Sequence, residues 1–182
     1  MAHGVSRVSA LRRARDVQQV IASSKYPVFR VAEDRYLMFF ESPASSPYGR
    51  AAWGIVFELG PRYPFKSPSV SFFKPLHHPN VDLHTGAICF EPLGSGWSAA
   101  QRLTQLLEVS LPFFTENPNP DDPLSGRVAA QMTRDPSGYA LECRACAAEH
   151  ALVRDEACDD AATVEAALTV YAEGLERMTG SE

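Results

Sequence analysis

The sequence has few cysteines and no long apolar run, and each absence excludes a class of protein. Four cysteines in 182 residues are too few for a disulfide scaffold, which favours a reducing compartment, the cytoplasm or the nucleus. No stretch approaches the ~18–20 consecutive apolar residues that cross a bilayer, and the first residues lack the apolar core of a signal peptide. The net charge of −5 argues against a polyanion-binding surface over the whole molecule. We therefore expect neither a membrane nor a nucleic acid as a partner.

The charges that are present are unevenly distributed. Residues 1–25 carry five basic side chains against one acid, whereas residues 152–182 carry eight acids against two arginines. A basic head and an acidic tail suit docking through complementary fields, although a solvated helix face at each end would give the same pattern. Lysines are scarce: the chain has only Lys25, Lys66 and Lys74. That scarcity would suit an enzyme that carries a lysine-reactive group.

Apolar periodicity predicts an α+β fold. A loose 3–4 spacing of apolar residues indicates a helix over 5–23. Four strand-like runs follow, at 28–31, 36–42, 51–59 and 69–73. Because clusters of proline, glycine and serine separate these runs, we expect a four-stranded antiparallel meander. The apolar content of 45% is enough for a core of ordinary size in one domain.

Helical patterns return after residue 97. Ser98 and Gln101 form a capping-box pattern ahead of an apolar stripe, and Pro112 is expected to bend that helix late. Val109 lies off the stripe and is a candidate docking point. Further helices are predicted over 125–134, from a cap at Asp135 onward, and in an alanine-rich last segment over about 159–178.

The segment 74–96 has no sustained period, and a long irregular segment inside a compact domain is usually functional. It contains three histidines, one cysteine, one asparagine and two acids. Cys89 could be a buried structural cysteine, or the nucleophile of a Cys–His hydrolase with His78 or His84 as its base. A zinc site is disfavoured, because the spacing is not typical of structural zinc sites.

A second group of cysteines lies near the end of the predicted helices. Cys143-x-x-Cys146, with His150 and Cys158 beyond it, is a possible metal or redox motif. Tyr139, Cys143, Cys146, Ala147 and His150 nevertheless share one helical stripe, which core packing explains. We therefore expect no metal.

Five motifs in one order carry a resemblance to a known family. They are Tyr63-Pro64-Phe65-Lys66-Ser67-Pro68, His78-Pro79-Asn80, Gly86-Ala87-Ile88-Cys89, Trp97, and Asn117-Pro118-Asn119-Pro120-Asp121-Asp122-Pro123-Leu124. Their order and distances resemble those of ubiquitin-conjugating enzymes, over a catalytic domain of residues 5–151. The Asn80-to-Cys89 interval is one residue longer than in the commonest members and resembles the H class. Residues 152–182 resemble the acidic extension of that class only in charge.

The resemblance implies the reaction and the residues that perform it. Cys89 would accept ubiquitin as a thioester from the activating enzyme and pass it to a substrate lysine, with no cofactor. Asn80 would donate a hydrogen bond to the oxyanion, or brace the loop instead. Asp122 matches the family's gate acid, which would orient the lysine and accept its proton. Glu91 and Leu124 match positions linked to direct reactivity toward lysine.

The remaining matched residues imply support and docking. His78, Pro79 and Trp97 match structural positions of the active-site loop. Phe65 and the loop Ser98-Ala99-Ala100 match the surface offered to ubiquitin ligases, although alanine stands where proline is usual. The basic helix matches the surface that binds the activating enzyme, through Arg7, Arg12, Arg13 and Arg15. Val109 matches the face that holds donor ubiquitin.

Two alternatives stay open beside the active enzyme. The chain could conjugate another ubiquitin-like modifier, or it could be a non-catalytic ubiquitin-binding variant of the same fold. We expect a monomer in the cytoplasm, the nucleus or both. The acidic 152–182 extension has three possible roles: a ligase contact, an autoinhibitory segment over the basic first helix, or a solubilising appendage.

Overall fold

The computed structural model describes residues 2–154 and 159–179 of the chain. A long N-terminal helix, α1, is followed by a four-stranded sheet, an irregular segment and a series of helices. The first half comprises α1 (Ala2–Ser23), β1 (Phe29–Ala32), β2 (Arg35–Glu41), β3 (Ala52–Glu58), β4 (Ser69–Phe72) and a 3₁₀ turn (Glu91–Leu93). The second half comprises α2 (Leu103–Gln105), a π-helical turn (Leu106–Ser110), α3 (Leu111–Glu116), α4 (Gly126–Arg134), α5 (Pro136–His150) and α6 (Ala161–Thr179).

The sheet is an antiparallel meander in the order β1-β2-β3-β4, which confirms the predicted topology. Its longest pairing joins β2 to β3 from Arg35↔Glu58 to Glu41↔Ala52. Alternate β3 side chains on the inner face are fully buried and form the main core with the helices. This core includes Trp53, Ile55 and Phe57. The apolar alternation seen in the sequence is therefore the inner face of the central part of the sheet.

One buried carboxylate helps to attach the first helix to the rest of the molecule. Asp16 is only 3% exposed, and it accepts hydrogen bonds from Arg12 Nε at 2.6 Å and from the Tyr63 hydroxyl. Arg12 also donates to the carbonyls of Ala99 and Gln101 at 3.1 and 3.0 Å. A buried charge must be paired to persist, so this network fixes α1 against the loop that follows residue 97.

That network explains why the capping-box prediction at Ser98 is wrong. The helix begins at Leu103, because residues 98–101 form turns whose carbonyls point toward Arg12. At Pro112, where a late bend is predicted, the helix has a change of type. Proline lacks the N–H that an α-helix needs, and a π-helical turn over Leu106–Ser110 precedes it.

The later helices match their predicted positions. The α4 helix ends at Arg134, and Asp135 caps α5 by accepting a bond from the Gly138 amide at 2.9 Å. Cys143 is buried in the main core with Tyr139, which bears out the core-packing interpretation of that stripe. Cys146 packs against the same core, while Cys158 lies outside the described residues.

The outer face of the sheet is covered by the end of the chain. Leu152 and Val153 are buried, and their backbone pairs with Ala52 on β3 through two 2.8 Å hydrogen bonds. Further along, Leu168 of α6 is 9% exposed and joins the same apolar cluster. The described part of the 152–182 extension therefore packs on the sheet.

The described part of the chain contains neither a membrane-spanning helix nor a metal cluster. None of its helices is both long and apolar enough to span a bilayer. Among the same residues, no group of three or more histidine, cysteine or acidic side chains could hold a metal ion.

Candidate active site

The irregular segment 74–96 is ordered by its backbone, and one glycine is essential to that order. Gly86 has φ = +71°, and its carbonyl accepts a bond from the Phe72 amide of β4 at 2.9 Å. A Cβ at Gly86 would lie 2.3 Å from the Phe72 carbonyl oxygen. Only glycine therefore allows the loop to approach the sheet this closely.

Cys89 is held by its own backbone on the exposed side of this loop. Its amide donates to the Asn80 carbonyl at 2.9 Å, beside an antiparallel bridge between Val81 and Ile88. The thiol-bearing residue is exposed. The structure thus brings Asn80 and Cys89, nine residues apart, onto adjacent backbone segments, with the thiol open to a reactant.

His78 is a structural residue in this loop. Its ring is fully buried and stacks on Phe114 with centroids 4.2 Å apart. Nδ1 accepts a bond from the Asn80 amide at 3.0 Å, which leaves Nε2 to donate to the Phe114 carbonyl at 3.2 Å. Burial lowers the pKa of His78 to about 3, so the ring is neutral near pH 7.

These contacts exclude His78 as the base of a Cys–His hydrolase, because both ring nitrogens are already engaged. The described residues that line the cleft around Cys89 include no histidine, and His84 is exposed on the loop elsewhere. Pro79 also has a structural contact, since its carbonyl accepts a bond from the Ser125 amide at 2.9 Å. The histidine-based alternative therefore lacks its base.

The Asn80 side chain ties the catalytic loop to the segment that carries Asp122. Its Nδ2 donates to the carbonyls of Asn119 and Asp122 at 2.8 and 2.9 Å, and its Oδ1 accepts from the Asn119 amide at 2.8 Å. Both N–H groups of the amide are therefore occupied. In this arrangement the Asn80 side chain holds the two segments together. It could donate to an oxyanion only if one of its two N–H groups shared or exchanged its present hydrogen bond.

The site is a cleft of about 550 Å³ that contains the predicted reactive residues. Cys89, Asn80, Glu91 and Asp122 all line it. The lining residues that sequence reasoning missed include Phe113, which is 58% exposed. Its position four residues after the exposed Val109 could have revealed it, because such pairs share one helix face.

The predicted docking residues Phe65 and Val109, the predicted lysine-reactivity residue Leu124 and the predicted loop-support residue Trp97 differ in their contacts. Phe65 is 64% exposed, Val109 is 53% exposed and Leu124 is 47% exposed. Trp97 is a support, since its Nε1 donates to the Pro64 carbonyl at 2.8 Å. Of the loop Ser98-Ala99-Ala100, the first and last residues are exposed.

The arginines of the basic helix differ in the same respect, since some are exposed and others make internal contacts. Arg7 and Arg15 are exposed, whereas Arg12 is bonded to Asp16 and to the loop after Trp97. Arg13 Nε lies 3.3 Å from Asp34, and Arg13 is largely buried. Within this set, Arg7 and Arg15 can meet a partner without breaking an internal contact.

A family model described as ubiquitin-conjugating enzyme matches residues 14–147, most of the chain. The chain belongs to this family. It is therefore a transferase of ubiquitin conjugation that works through a thioester intermediate. The match spans α1 to α5 and includes the whole cleft described above.

Curated relatives and a solved structure agree with the family model. The chain is 36% identical over 135 residues to ubiquitin-conjugating enzyme E2 6 of Arabidopsis thaliana, covering 73% of each chain. It is 35% identical over 129 residues to ubiquitin-conjugating enzyme E2-23 kDa of Triticum aestivum, covering 70% of each. The E2 domain of a Toxoplasma gondii ubiquitin conjugating enzyme shares the fold, with a TM-score of 0.70, 23% identity, and coverage of 78% of this chain and 99% of that one.

Proposed function

We propose that Cys89 is the residue that carries ubiquitin. The observation that carries this proposal is an exposed thiol fixed by the Asn80 carbonyl at the rim of a cleft that also contains Asp122. The Cys89 thiolate attacks the carbonyl of ubiquitin's C-terminal glycine on the activating enzyme. A new C–S bond forms to Cys89, and the activating enzyme's cysteine leaves as a thiolate.

Transfer to lysine follows in the same cleft. A lysine ammonium has an ordinary pKa near ~10.4, so it must lose a proton before its nitrogen can attack. The carboxylates of Asp122 and Glu91 line the cleft and can orient the ammonium, and Asp122 is the proposed proton acceptor. The amide bond forms as the C–S bond breaks, and Cys89 is released as a thiolate. Leu124, exposed after Asp122, supports this direct transfer by shaping the approach.

Asn80 has a positioning role in this proposal. Its side chain holds the backbone of residues 119–122, and therefore the position of Asp122, relative to Cys89. A contribution to the oxyanion would come when the incoming oxygen shares one of the two N–H groups. His78, Pro79 and Trp97 hold the loop from behind.

The docking assignments extend the proposal to partners. Ubiquitin, an activating enzyme and a ligase are partners of the family in general. For this chain we assign Phe65 and the Ser98–Ala100 loop to the ligase, and Arg7 and Arg15 to the activating enzyme, on the basis of their exposure. Membership of the H class, a monomeric state, and residence in the cytoplasm or nucleus are also proposed.

The deciding experiment is a thioester assay with activating enzyme, ATP and ubiquitin on the wild type and Cys89→Ala. A single reductant-sensitive ubiquitin adduct on the wild type alone is expected. Cys146→Ala is the matched control, because this thiol packs against the core. An adduct that survives in Cys89→Ala would overturn the assignment. If ubiquitin fails and a related modifier forms the adduct, the chain conjugates that modifier.

A further inference from the structure

The outer face of the sheet contains an apolar surface that the end of the chain helps to cover. Leu37 and Phe39 of β2 and Ala52 of β3 point to this face, and they form a cluster separate from the main core. The end of the chain contributes Leu152, Val153 and Leu168 to this cluster, with Val164 and Ala167 partly buried, beside Tyr26 and the partly buried Phe29 and Val31. Exposed apolar surfaces of this kind favour association.

The covering segment is attached at three kinds of contact. Residues 152–154 pair with the start of β3, along the part of its edge that β4 does not cover. The pairing consists of bonds from the Leu152 and Ala52 amides and a bridge between Ala51 and Arg154. Unpaired edges of this type readily recruit other strands. Leu168 then buries its side chain on the sheet.

The third contact is a group of charges at the rim of the sheet. Arg50 binds both carboxylate oxygens of Asp159 at 2.5 and 2.6 Å, and Lys25 Nζ lies 3.4 Å from Asp159. Glu41 completes the group, with Lys25 Nζ at 2.5 Å. Because Asp159 is 64% exposed, solvent and salt weaken these pairs, and the apolar contacts dominate the attachment.

We propose that residues 159–168 are a displaceable strap, anchored at residues 152–154, that closes the outer face of the sheet to other proteins. The strap lies on the sheet face opposite the main core, so its opening leaves the Cys89 cleft intact. A protein that binds this face must first displace the strap. The surface it would then meet is apolar, with Lys25 and Arg50 at its rim, which suits a partner that presents an apolar helix and a carboxylate.

Hydrogen exchange on the full-length protein tests the strap. The change is Leu168→Asp, and the matched control is Val170→Asp, on the same helix but 64% exposed. We expect the amides of α6 and of Ala52 to exchange on the order of tenfold faster in L168D than in the wild type. V170D should match wild type, because its side chain does not contact the sheet. L168D should also bind a hydrophobic dye.

A second pair of variants keeps the proposal falsifiable if L168D folds poorly. Asp159→Lys reverses the charge that Arg50 binds, whereas Glu165→Lys makes the same change at an exposed position of α6. We expect the α6 amides of D159K to exchange about threefold faster than those of the wild type. High salt should reduce this difference, because it weakens the ion pairs of the wild type. Rapid exchange of α6 in the wild type, or equal exchange in L168D and V170D, would overturn the strap. Thioester loading on Cys89 should be unchanged in all four variants.

Discussion

At the scale of single residues, the site depends on amide and imidazole groups that are already satisfied within the protein. Asn80 uses every hydrogen-bonding group of its side chain on the 119–122 segment. An amide side chain in this position holds two chain segments together. The loss of one of its buried hydrogen bonds would leave the partner group unpaired. The backbone of residues 119–122 is therefore held next to the Cys89 loop by Asn80.

Replacing Asn80 tests the brace directly. In Asn80→Ala, the Asn119 amide and two carbonyls lose their partners, at a cost of about 1–3 kcal/mol of stability. We expect faster exchange of the Asn119 amide and transfer to lysine slowed on the order of 100-fold, with loading of Cys89 less affected. Exchange and single-turnover discharge measure the two effects. Normal Asn119 protection with slow transfer would favour a pure oxyanion role.

His78 makes stability depend on pH with a defined sign. Its pKa is about 3 in the fold, because burial disfavours the charged ring, and near ~6.5 when unfolded. Between these values the unfolded chain binds more protons, so the free energy of unfolding rises with pH. The contribution is fully present above pH 6.5 and is lost as pH falls toward 3.

We therefore expect His78→Gln to flatten the pH dependence of unfolding. Between pH 4 and 6 the slope should fall by about 1.4 kcal/mol per pH unit relative to wild type. Urea unfolding at a series of pH values measures it. His84→Gln, at an exposed position of the same loop, is the control for the loss of one imidazole. A variant H78Q with an unchanged slope would contradict the buried neutral ring.

At the scale of elements, the catalytic loop depends on its attachment to β4. Gly86→Ala would place a methyl group 2.3 Å from the Phe72 carbonyl at φ = +71°. We expect this change to displace the loop, to cost about 1–3 kcal/mol and to slow loading of Cys89. Thermal unfolding and the thioester assay measure both effects. Gly126→Ala, where a Cβ meets nothing within 4 Å, should lower neither the melting temperature nor the loading of Cys89.

The outer face of the π-helical turn and α3 carries two exposed apolar side chains, Val109 and Phe113. If this face holds donor ubiquitin closed over the cleft, Val109→Asp should slow transfer from Cys89 about tenfold while loading is spared. Loading and lysine discharge measured separately check this. Leu141→Asp, equally exposed on α5, is the control. Equal loss of both steps would refute the assignment.

Most elements could be predicted because their signals are local. The β3 alternation and the Asp135 cap each depend on neighbours in the sequence, and both were found where predicted. The failures came from long-range contacts. Ser98 has a good local helix-start pattern, yet Arg12, 87 residues before Ala99, holds that segment in turns. The engagement of the Asn80 amide likewise depends on a loop 39 residues away.

At the scale of the whole molecule, the uneven charge of the sequence has a structural counterpart. The acidic extension meets basic residues at the rim of the sheet, Lys25 and Arg50, while the exposed Arg7 and Arg15 of α1 stay available. Charge complementarity within the chain therefore accounts for part of the acidic end. The apolar residues Leu152 and Val153 lie between this charged end and the family's domain, and they belong to the fold's packing.

This placement predicts where the chain can be shortened. A protein ending at residue 151 loses two buried side chains and two backbone bonds to Ala52, whereas one ending at residue 154 keeps them. Burial of Leu152 and Val153 less the entropy of ordering them gives about 2–3 kcal/mol. At roughly 2–4 °C per kcal/mol for a chain of this size, the shorter form should melt about 4–12 °C lower. Calorimetry of the two forms measures the difference, and equal melting temperatures would place these residues outside the cooperative fold. Both forms should still load ubiquitin below their melting temperatures, because none of the described residues that line the cleft lies beyond Asp122.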